Sequence, residues 1–422
     1  MRLPFIARDA IPGYSRISAY APHEISGPFS GAAVQYFVRE PRVSVVIVNW
    51  NYARYVADAI RSVKHQTYQN FECLVIDNGS SDGSAAAIAD AIGGDPQFAV
   101  HQLPGNLGHL GAALWSLDRL QGEFVTFLDA DDVLFPGYLL NHLQAHLSTD
   151  WPTGFTSSAC FEVNAAGMQL TAGFCFAHHH WRNGAPALRP MERIGLLEAT
   201  DAAAYSALAE ATRYLPADAR GWLWSPGSSN MFRRALLERF RPHVASPAVF
   251  GGVDGFYLPI LHAVTGSNVI DLPLSAYRLH GENDHSGLPA LVGVRTGHAK
   301  VEAQSAAVSR LALVSLIDGF DNLPTDKERF WTILEVAVSI GALAPFNDAG
   351  IKAAFARQYP ALSRYFGERR VIRELRRWMT FRDLLEIALR GRKGPQRFAT
   401  VRRTLVIATR HHVRRALGKA LG

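Results

Sequence analysis

The sequence predicts an α/β fold, in which a mostly parallel sheet is flanked by helices and followed by a helical C-terminal region. Short β-branched runs such as VSVVIV, residues 43–48, have the composition of strands that are buried on both faces. Helical patterns alternate with these runs at the spacing of right-handed βαβ units. Polar residues cluster after each early strand, at the edge where open parallel sheets bind ligands.

The elements of this fold are predicted in order from residue 43. Strands are predicted at 43–48, 71–77, 98–102, 124–128, 154–163 and 269–277, because apolar and β-branched residues dominate there. Residues 228–234 (SSNMFRR) are predicted to be a strand that leads into a helix. Helices are predicted at 55–63, 84–92, 108–120, 137–146 and 255–264, where apolar residues recur at helical spacing. Residues 191–214 are expected to be partly helical, and beyond about residue 291 helices are expected at 291–317 and 327–343.

Length and composition indicate a globular chain of two or three domains. The 422 residues are 48% hydrophobic, which supports one large core and a second unit. No run of about 18 apolar residues is present, and arginines interrupt the first 30 residues, so we expect a cytoplasmic protein. Cys73, Cys160 and Cys175 lack metal-binding spacing and are expected to be reduced thiols.

Charge divides the chain unevenly. Residues 352–422 hold 19 Lys and Arg against 4 Asp and Glu, a net charge of +15, whereas residues 1–351 hold 24 against 33, a net charge of −9. We expect an irregular N-terminal arm at 1–40, an α/β domain at 41–290 and a helical, basic region at 291–422.

Four polar loops follow the predicted strands and are expected to form one site. The first loop contains Asn49, Trp50 and Asn51. The second is residues 77–83 (DNGSSDG), and the third is residues 104–108 (PGNLG). Taken alone, DNGSSDG is also typical of a turn before a helix. The fourth loop carries Asp129, Asp131 and Asp132.

The aspartate triplet is harder to explain as a turn. Carboxylates one residue apart repel each other, and one of them would take up a proton unless a cation lies between them. Mg²⁺ or Mn²⁺ uses one or two carboxylates and completes its shell with phosphate oxygens and water. An Asp-x-Asp pair that holds a diphosphate through Mn²⁺ or Mg²⁺ is therefore predicted.

The ordered motifs VSVVIVNWN, FECLVIDNGSSDGS, NLG and FLDADD resemble glycosyltransferase family 2 over about residues 42–145. A weaker resemblance continues through GSSNMFRR, FGGVDGFYLPILHAV and YRLHGENDHS, to about residue 286. The resemblance implies a Rossmann-like GT-A fold and inverting transfer from a nucleotide-sugar, with uracil as the base. It also implies that residues 41–150 form the nucleotide-sugar-binding half of the domain and residues 151–290 the acceptor half.

The resemblance also implies roles for individual residues. Val48, Asn49 and Asn51 are expected beside the base and ribose, and Asp77 on the base. Asn106 and Gly108 are expected in a donor loop, Asp129 near ribose and metal, and Asp131 on the metal. Asp132 is expected as a partner of the metal ligands, and His280 is expected to reach the metal or the diphosphate.

Transfer also requires a base that takes the proton of the acceptor hydroxyl. Asp254 is our candidate, because it matches the second acid of a Glu-Asp pair, although Val253 replaces the Glu. Asp254 could equally cap the helix that follows it, and both roles are compatible. A second departure is that Ala112, Ala113 and Leu114 supply no arginine where the family usually carries one for the diphosphate.

Two other patterns carry less weight. His178, His179 and His180 are consecutive, so their side chains point apart and do not suit one zinc ion. The arginines of the tail have no nucleic-acid module around them, and we expect no nucleic-acid partner. Residues 352–422 are instead expected to bind an anionic membrane surface or to pack on the acidic remainder, in the same subunit or in an oligomer.

The sequence therefore predicts an enzyme: a metal-dependent inverting glycosyltransferase. Its partners would be a nucleoside-diphosphate sugar and a hydroxyl of a glycan or lipid-linked acceptor, in bacterial surface polysaccharide or glycoconjugate synthesis. Its location would be cytoplasmic or peripheral on the inner face of the plasma membrane. The alternative is a catalytically silent nucleotide-sugar or glycan-binding module. A nucleotidyltransferase would need an early Gly-rich basic phosphate loop, which the sequence lacks.

Overall fold

The computed structural model describes residues 40–170, 185–186, 188, 202–244, 248–281, 283, 299–341 and 348–389. The expected N-terminal arm up to residue 39, the histidines at 178–180, Cys175 and the tail from residue 390 lie outside these ranges.

One mixed sheet organises the described residues. Its strands are β1 (Val43–Asn49), β2 (Phe71–Asp77), β3 (Phe98–Gln102), β4 (Phe124–Asp129), β5 (Val133–Leu134), β6 (Phe155–Asn164), β7 (Ala185–Pro186), β8 (Thr212–Leu215), β9 (Asn230–Arg233) and β10 (Ser267–Leu279). The strand order is β3-β2-β1-β4-β9-β6-β10-β8-β7, and β5 pairs with β10.

The first four strands are parallel, as the βαβ pattern predicts. The parallel register aligns Asn49 with Asp77 and Val48 with Asp129, so the ends of β1, β2 and β4 lie side by side. Successive residues of β1 enter different cores: Val43, Val45 and Ile47 join one, and Val46 and Val48 join the other. The run of β-branched residues is thus buried on both faces.

The antiparallel strand β9 lies between β4 and β6, and β6 pairs in parallel with β10. The C-terminal ends of β6 and β10 consequently point to the same edge of the sheet as those of β1 and β4. Asp129 at the end of β4 and His280 just after β10 come to that edge from segments about 150 residues apart in the chain.

The helices are α1 (Val56–Lys64), α2 (Ser84–Ile92), α3 (His109–Ser116), α4 (Tyr138–Leu147), α5 (Ala202–Ala211), α6 (Arg234–Arg239), α7 (Val253–Thr265), α8 (Ala299–Asp318), α9 (Phe330–Ile340), α10 (Ala349–Phe366), α11 (Glu368–Leu375) and α12 (Phe381–Leu389). Helices α3 and α7 share one apolar core with α8 to α12, and buried Phe256, Leu316, Phe330 and Phe355 belong to it. The C-terminal helices therefore pack directly on the sheet domain.

The predicted α/β class is confirmed, with a mostly parallel sheet, flanking helices and a helical C-terminal region. Strand β2 and helix α2 have their predicted bounds, whereas the helix predicted at 108–120 ends at Ser116 and continues as a 3₁₀ turn. None of the described helices is long and apolar enough to cross a membrane. The division into domains at residues 40, 150 and 290 stays a prediction.

Candidate active site

The loops after β1 and β2 are bonded to each other. Asn49 Nδ2 donates to Ser80 Oγ at 3.1 Å, and the Asn51 backbone N–H donates to the same oxygen at 2.9 Å. Asn51 has φ 58°, an uncommon value that lets its side-chain oxygen accept from the Ser81 N–H at 2.8 Å. The two loops form one rigid wall of the site.

Two oxygens of this wall are buried without a hydrogen bond within the described part of the chain: Asn49 Oδ1 and Asp77 Oδ2. The other carboxylate oxygen of Asp77 accepts from the Ser80 N–H at 3.1 Å. A buried acceptor without a partner is costly. Both atoms therefore suit a ligand that brings N–H or O–H donors to the ends of β1 and β2.

The third loop is held by two asparagines. Asn78 Nδ2 donates to Asn106 Oδ1 at 3.0 Å, and Asn78 Oδ1 accepts from the Leu107 N–H at 2.9 Å. Asn106 Oδ1 also accepts from the Gly108 N–H at 2.7 Å. The structure thus shows that Asn106 shapes its own loop. Gly108 has φ 75°, and a Cβ there would overlap the Val249 carbonyl.

Three backbone hydrogen bonds, here called the backbone bridge, join the third loop to the segment before α7. The Val249 N–H donates to Leu107 O at 2.7 Å, the Leu110 N–H donates to Gly251 O at 3.1 Å, and the Gly111 N–H donates to Val249 O at 3.0 Å. Two N–H groups of the first turn of α3, those of Leu110 and Gly111, are therefore already hydrogen-bonded within the bridge. The bridge also connects the third loop to the segment that carries Asp254.

Asp129 lies at the centre of the site, with its side chain 31% exposed. Burial in the cleft raises the pKa of Asp129 to about 6, nearby Asp131 and Asp254 act in the same direction, and His109 opposes them. His109 Nε2 is 3.1 Å from Asp129 Oδ1. Negative charge therefore accumulates at a position that solvent ions can reach.

Asp131 lies next to His280, as the sequence predicts for two groups on one cation. His280 Nε2 is 2.8 Å from Asp131 Oδ2, and Asn283 Nδ2 donates to the same oxygen at 3.3 Å. The imidazole stacks on Tyr55 with 5.0 Å between ring centroids and meets Tyr52 edge-on at 5.4 Å. These rings hold His280 in place.

Asp132 is buried and bonded through both oxygens. Its Oδ2 accepts from Ser228 Oγ at 2.7 Å, and its Oδ1 accepts from the Arg278 N–H at 2.9 Å. Burial raises the pKa of Asp132 well above its ordinary value, and Asp131 and Asp129 add to the shift. This geometry suits an anchor for neighbouring loops better than a ligand that points into the cleft.

Sequence reasoning missed three residues that shape the site: His109, Ser228 and Arg278. Ser228 Oγ accepts from the Asp129 N–H at 3.1 Å while it donates to Asp132. Buried Arg278 donates to Asp131 O at 2.7 Å and to Asp58 Oδ2 at 3.1 Å. Arg278 lies two residues before His280, but the sequence does not show which way its side chain points.

Asp254 lies in the first turn of α7, but Gly252 occupies the N-cap position, so the capping role foreseen for Asp254 is not its observed one. Its Oδ1 accepts from the Gly255 N–H at 2.8 Å. Its charge contributes to the raised pKa of Asp129, so the candidate base lies within electrostatic reach of that carboxylate. The structure therefore brings together residues that are 125 positions apart in the chain.

The carboxylates fit a divalent cation that arrives with a ligand. Within the described residues, no group of three or more His, Cys, Asp or Glu has the arrangement of a preformed metal site. Mg²⁺ and Mn²⁺ do not require one, because phosphates and water usually complete their shells. Burial raises the pKa of Asp129 and repulsion from Asp131 and Asp254 adds to the shift, so a cation bound here would relieve that repulsion.

Comparison with known proteins adds a family to this geometry. Residues 44–164 match the profile described as Glycosyl transferase family 2. A glycosyltransferase of Nostoc sp. (strain PCC 7120) is 37% identical over 109 residues, which are 26% of this chain and 34% of the relative. TuaG of Bacillus subtilis (strain 168), a putative teichuronic acid biosynthesis glycosyltransferase, is 33% identical over 93 residues, 22% of this chain and 37% of the relative. The chain spans about a third of the length of the curated relatives that it matches.

Solved structures show more distant likenesses. TarS 1-349 of S. aureus aligns with a TM-score of 0.44 and 16% identity, over 86% of this chain and 90% of that chain. A mannosyltransferase of Pyrobaculum calidifontis, in complex with GDP-Man and Mn²⁺, aligns with a TM-score of 0.39 and 16% identity, over 88% of this chain and 87% of that chain. The family assignment rests instead on the profile, the relatives and the motifs at the strand ends. Residues 44–164 therefore form a domain of glycosyltransferase family 2.

Proposed function

We propose that this protein is a metal-dependent, inverting glycosyltransferase that moves a sugar from a nucleoside-diphosphate sugar, with uracil as the base, to a hydroxyl of a glycan or lipid-linked acceptor. The observation that carries this proposal is the convergence of Asp129, Asp131 and Asp254 at one strand edge, beside the unpartnered oxygens of Asn49 and Asp77. A bound cation would relieve the repulsion between the carboxylates, and a ligand with N–H or O–H donors would satisfy the buried oxygens of Asn49 and Asp77.

The nucleoside would bind at the ends of β1 and β2. Asp77 Oδ2 and Asn49 Oδ1 would accept from N–H and O–H groups of base and ribose, and Asn51 and the backbone of Val48 would complete the wall. Half-exposed Trp50 lies in the same loop and offers a flat apolar surface. The third loop, with Asn106 and Gly108, would close the phosphate side.

Asp129 and Asp131 would hold Mn²⁺ or Mg²⁺, with His280 beside them. When bound, the cation stabilises the negative charge that builds up on the diphosphate leaving group. Asp132 would keep Asp131 in place through the Arg278 N–H and Ser228.

Asp254 would take the proton of the acceptor hydroxyl as that oxygen attacks the anomeric carbon. Its closeness to Asp129 supports this role, because the base must lie near the sugar that the cation-bound diphosphate carries. A Cβ at residue 252 would overlap Asp254 Oδ1, so the observed position of the Asp254 carboxylate depends on the glycine at residue 252.

The acceptor is proposed from the relatives. TuaG is named for teichuronic acid biosynthesis, and a matching relative in Staphylococcus epidermidis, 27% identical over 110 residues, is named a teichoic acid poly(glycerol phosphate) polymerase. Both names refer to bacterial surface polymers. A glycan or lipid-linked intermediate of such a polymer is the acceptor class that we propose.

A donor panel tests this function. Purified protein is incubated with MnCl₂, acceptor mixtures and UDP- or GDP-linked sugars, and release of nucleoside diphosphate is followed. Wild type is expected to turn over one donor, Asp131→Ala to lose turnover and cation dependence, and Asp254→Asn to lose about 100-fold or more in kcat while donor affinity is kept. Binding of a nucleotide-sugar without any turnover would favour the silent binding module instead. Full turnover in both variants would contradict the site.

We also propose that the C-terminal region docks on an anionic membrane surface, which would bring the site to a lipid-linked acceptor. Exposed arginines and aromatic side chains occur together on α10 to α12: Arg364, Tyr365, Arg369, Arg373, Phe381 and Arg382. Arginine with interfacial aromatic residues is the composition of helices that bind anionic lipid surfaces. The cytoplasmic side and an oligomeric state stay predictions.

A further inference from the structure

His109 is the first residue of α3, and its ring faces the aspartate cluster from the side of the third loop. Its Nε2 lies 3.1 Å from Asp129 Oδ1, and its side chain is 25% exposed. The residue follows Gly108 directly, in the loop proposed to close the phosphate side.

The backbone leaves His109 little freedom to move away from that position. The backbone bridge holds the residues on either side of it, since Leu107 accepts from the Val249 N–H and Leu110 donates to Gly251 O. Gly108 is wedged against the Val249 and Phe250 backbone. The backbone position of His109 is thus fixed by the fold.

The ring nitrogen still needs an acceptor. His109 Nε2 is shielded from solvent, and although Asp129 Oδ1 is near, the alignment is not that of a hydrogen bond; no other partner lies among the described residues. A buried N–H without a bond is costly unless a ligand completes it. A cation on Asp129 would bring phosphate oxygens to this side of the carboxylate.

Helix α3 offers few alternatives for contacting a phosphate. Its sequence is HLGAALWS, without Lys or Arg. Ser116 is buried and donates to Ala113 O at 2.6 Å, and the ring of Trp115 packs against His101 and Arg119. The N–H groups of Leu110 and Gly111 are already used by the backbone bridge. His109 is therefore the side chain of this helix that is placed to donate.

We propose that His109 is a donor-binding residue, which donates a hydrogen bond from Nε2 to a diphosphate oxygen of the bound nucleotide. This inference rests on the proposed function, because that function places the diphosphate at Asp129. It assigns to a histidine the contact left open by the absence of arginine at residues 112–114.

The test compares ligands with and without the diphosphate. Dissociation constants for UDP and for uridine are measured by calorimetry in MnCl₂ for wild type, His109→Ala and His109→Gln. Loss of a hydrogen bond to a charged group predicts that His109→Ala binds UDP about tenfold or more weakly, with unchanged uridine affinity. His109→Gln is expected to recover part of the loss, because its amide can donate from a similar distance.

The control is His101→Ala, a histidine on exposed β3 that packs edge-on against Trp115. It is expected to leave both affinities unchanged. Equal weakening of UDP and uridine in His109→Ala would assign a structural role and overturn the inference, as would an unchanged UDP affinity. If wild type binds neither UDP nor uridine, the proposed function with uracil as the base is itself contradicted, and the role of His109 is rejected with it.

Discussion

Asp129 shows, at the scale of one residue, how a binding site can oppose the stability of the fold. Its raised pKa, about 6, means that the folded protein prefers the protonated form more than the unfolded chain does. The stability gained from that preference is complete below the ordinary aspartate value and is lost as pH rises through about 6. At neutral pH without a cation, the ionised Asp129 therefore destabilises the protein.

We predict that Asp129→Asn stabilises the cation-free protein at pH 7.5. The gain should be on the order of 1 kcal/mol, because partial exposure screens the repulsion, and should shrink toward zero at pH 4. Urea unfolding in EDTA at both pH values measures it. Added MnCl₂ with UDP should stabilise wild type and have a smaller effect on the variant.

Asn78→Ala serves as a contrast, since removal of its bonds to Leu107 and Asn106 should destabilise the protein at both pH values. A gain for Asp129→Asn that is equal at pH 4 and pH 7.5 would show that charge is not its cause.

Residue chemistry that depends on near neighbours could be predicted from the sequence. Repulsion between Asp129 and Asp131 follows from their spacing, and polar residues at strand ends follow from the sheet pattern. Ser228, Arg278 and His109 were not predicted, because their roles depend on which distant side chain faces them. Arg278, for example, reaches Asp58, 220 residues earlier.

At the scale of the element, strand direction decides what the site can contain. The sequence predicts a strand in SSNMFRR, and β9 is found there, but its antiparallel insertion between β4 and β6 is a pairing that local pattern does not encode. That insertion places the 3₁₀ turn Gly227–Ser229 against the aspartates. Asp132 then ties this turn to β10.

We predict that Asp132→Ala destabilises the protein by about 2–4 kcal/mol, because it leaves the Arg278 N–H and Ser228 Oγ without their buried acceptor. Asp132→Asn should cost less, since one oxygen remains to accept from Arg278. Urea unfolding gives the stabilities. The MnCl₂ concentration required for UDP binding should stay near wild type in Asp132→Asn and rise strongly in Asp131→Asn. An equal rise in both would make Asp132 a cation ligand.

At the scale of the whole molecule, the C-terminal helices belong to the same packing unit as the site. The side chain of Val308, on α8, lies where a Cβ at residue 251 would be placed, next to the segment that carries Asp254. The basic composition left two placements open for residues 352–422, an anionic membrane surface and the acidic remainder of the protein. Described parts of this region pair with acidic residues of the remainder, as Arg357 does with Asp318 at 2.6 Å and Arg377 does with Glu335.

The exposed arginines that remain predict lipid binding. The full-length protein should co-sediment with vesicles that contain phosphatidylglycerol and not with pure phosphatidylcholine, and binding should weaken with salt. Arg369→Glu with Arg382→Glu should lower the partition coefficient about tenfold or more, since each basic residue contributes roughly 1 kcal/mol near such a surface.

The matched control reverses two exposed arginines elsewhere, Arg119→Glu with Arg239→Glu. An equal loss of vesicle binding in both double variants would show that net charge alone causes the effect. Binding of wild type to neither vesicle type would favour packing of the tail on protein.

The backbone bridge has a consequence for attempts to redesign this protein. It joins residues 107–111 to residues 249–251. An insertion, a deletion or a bulky residue at 249–251 must therefore shift residues 107–111. Under the proposed function, a change at 249–252 that alters acceptor choice is therefore expected to alter donor affinity as well. Libraries aimed at new acceptors should vary other positions first.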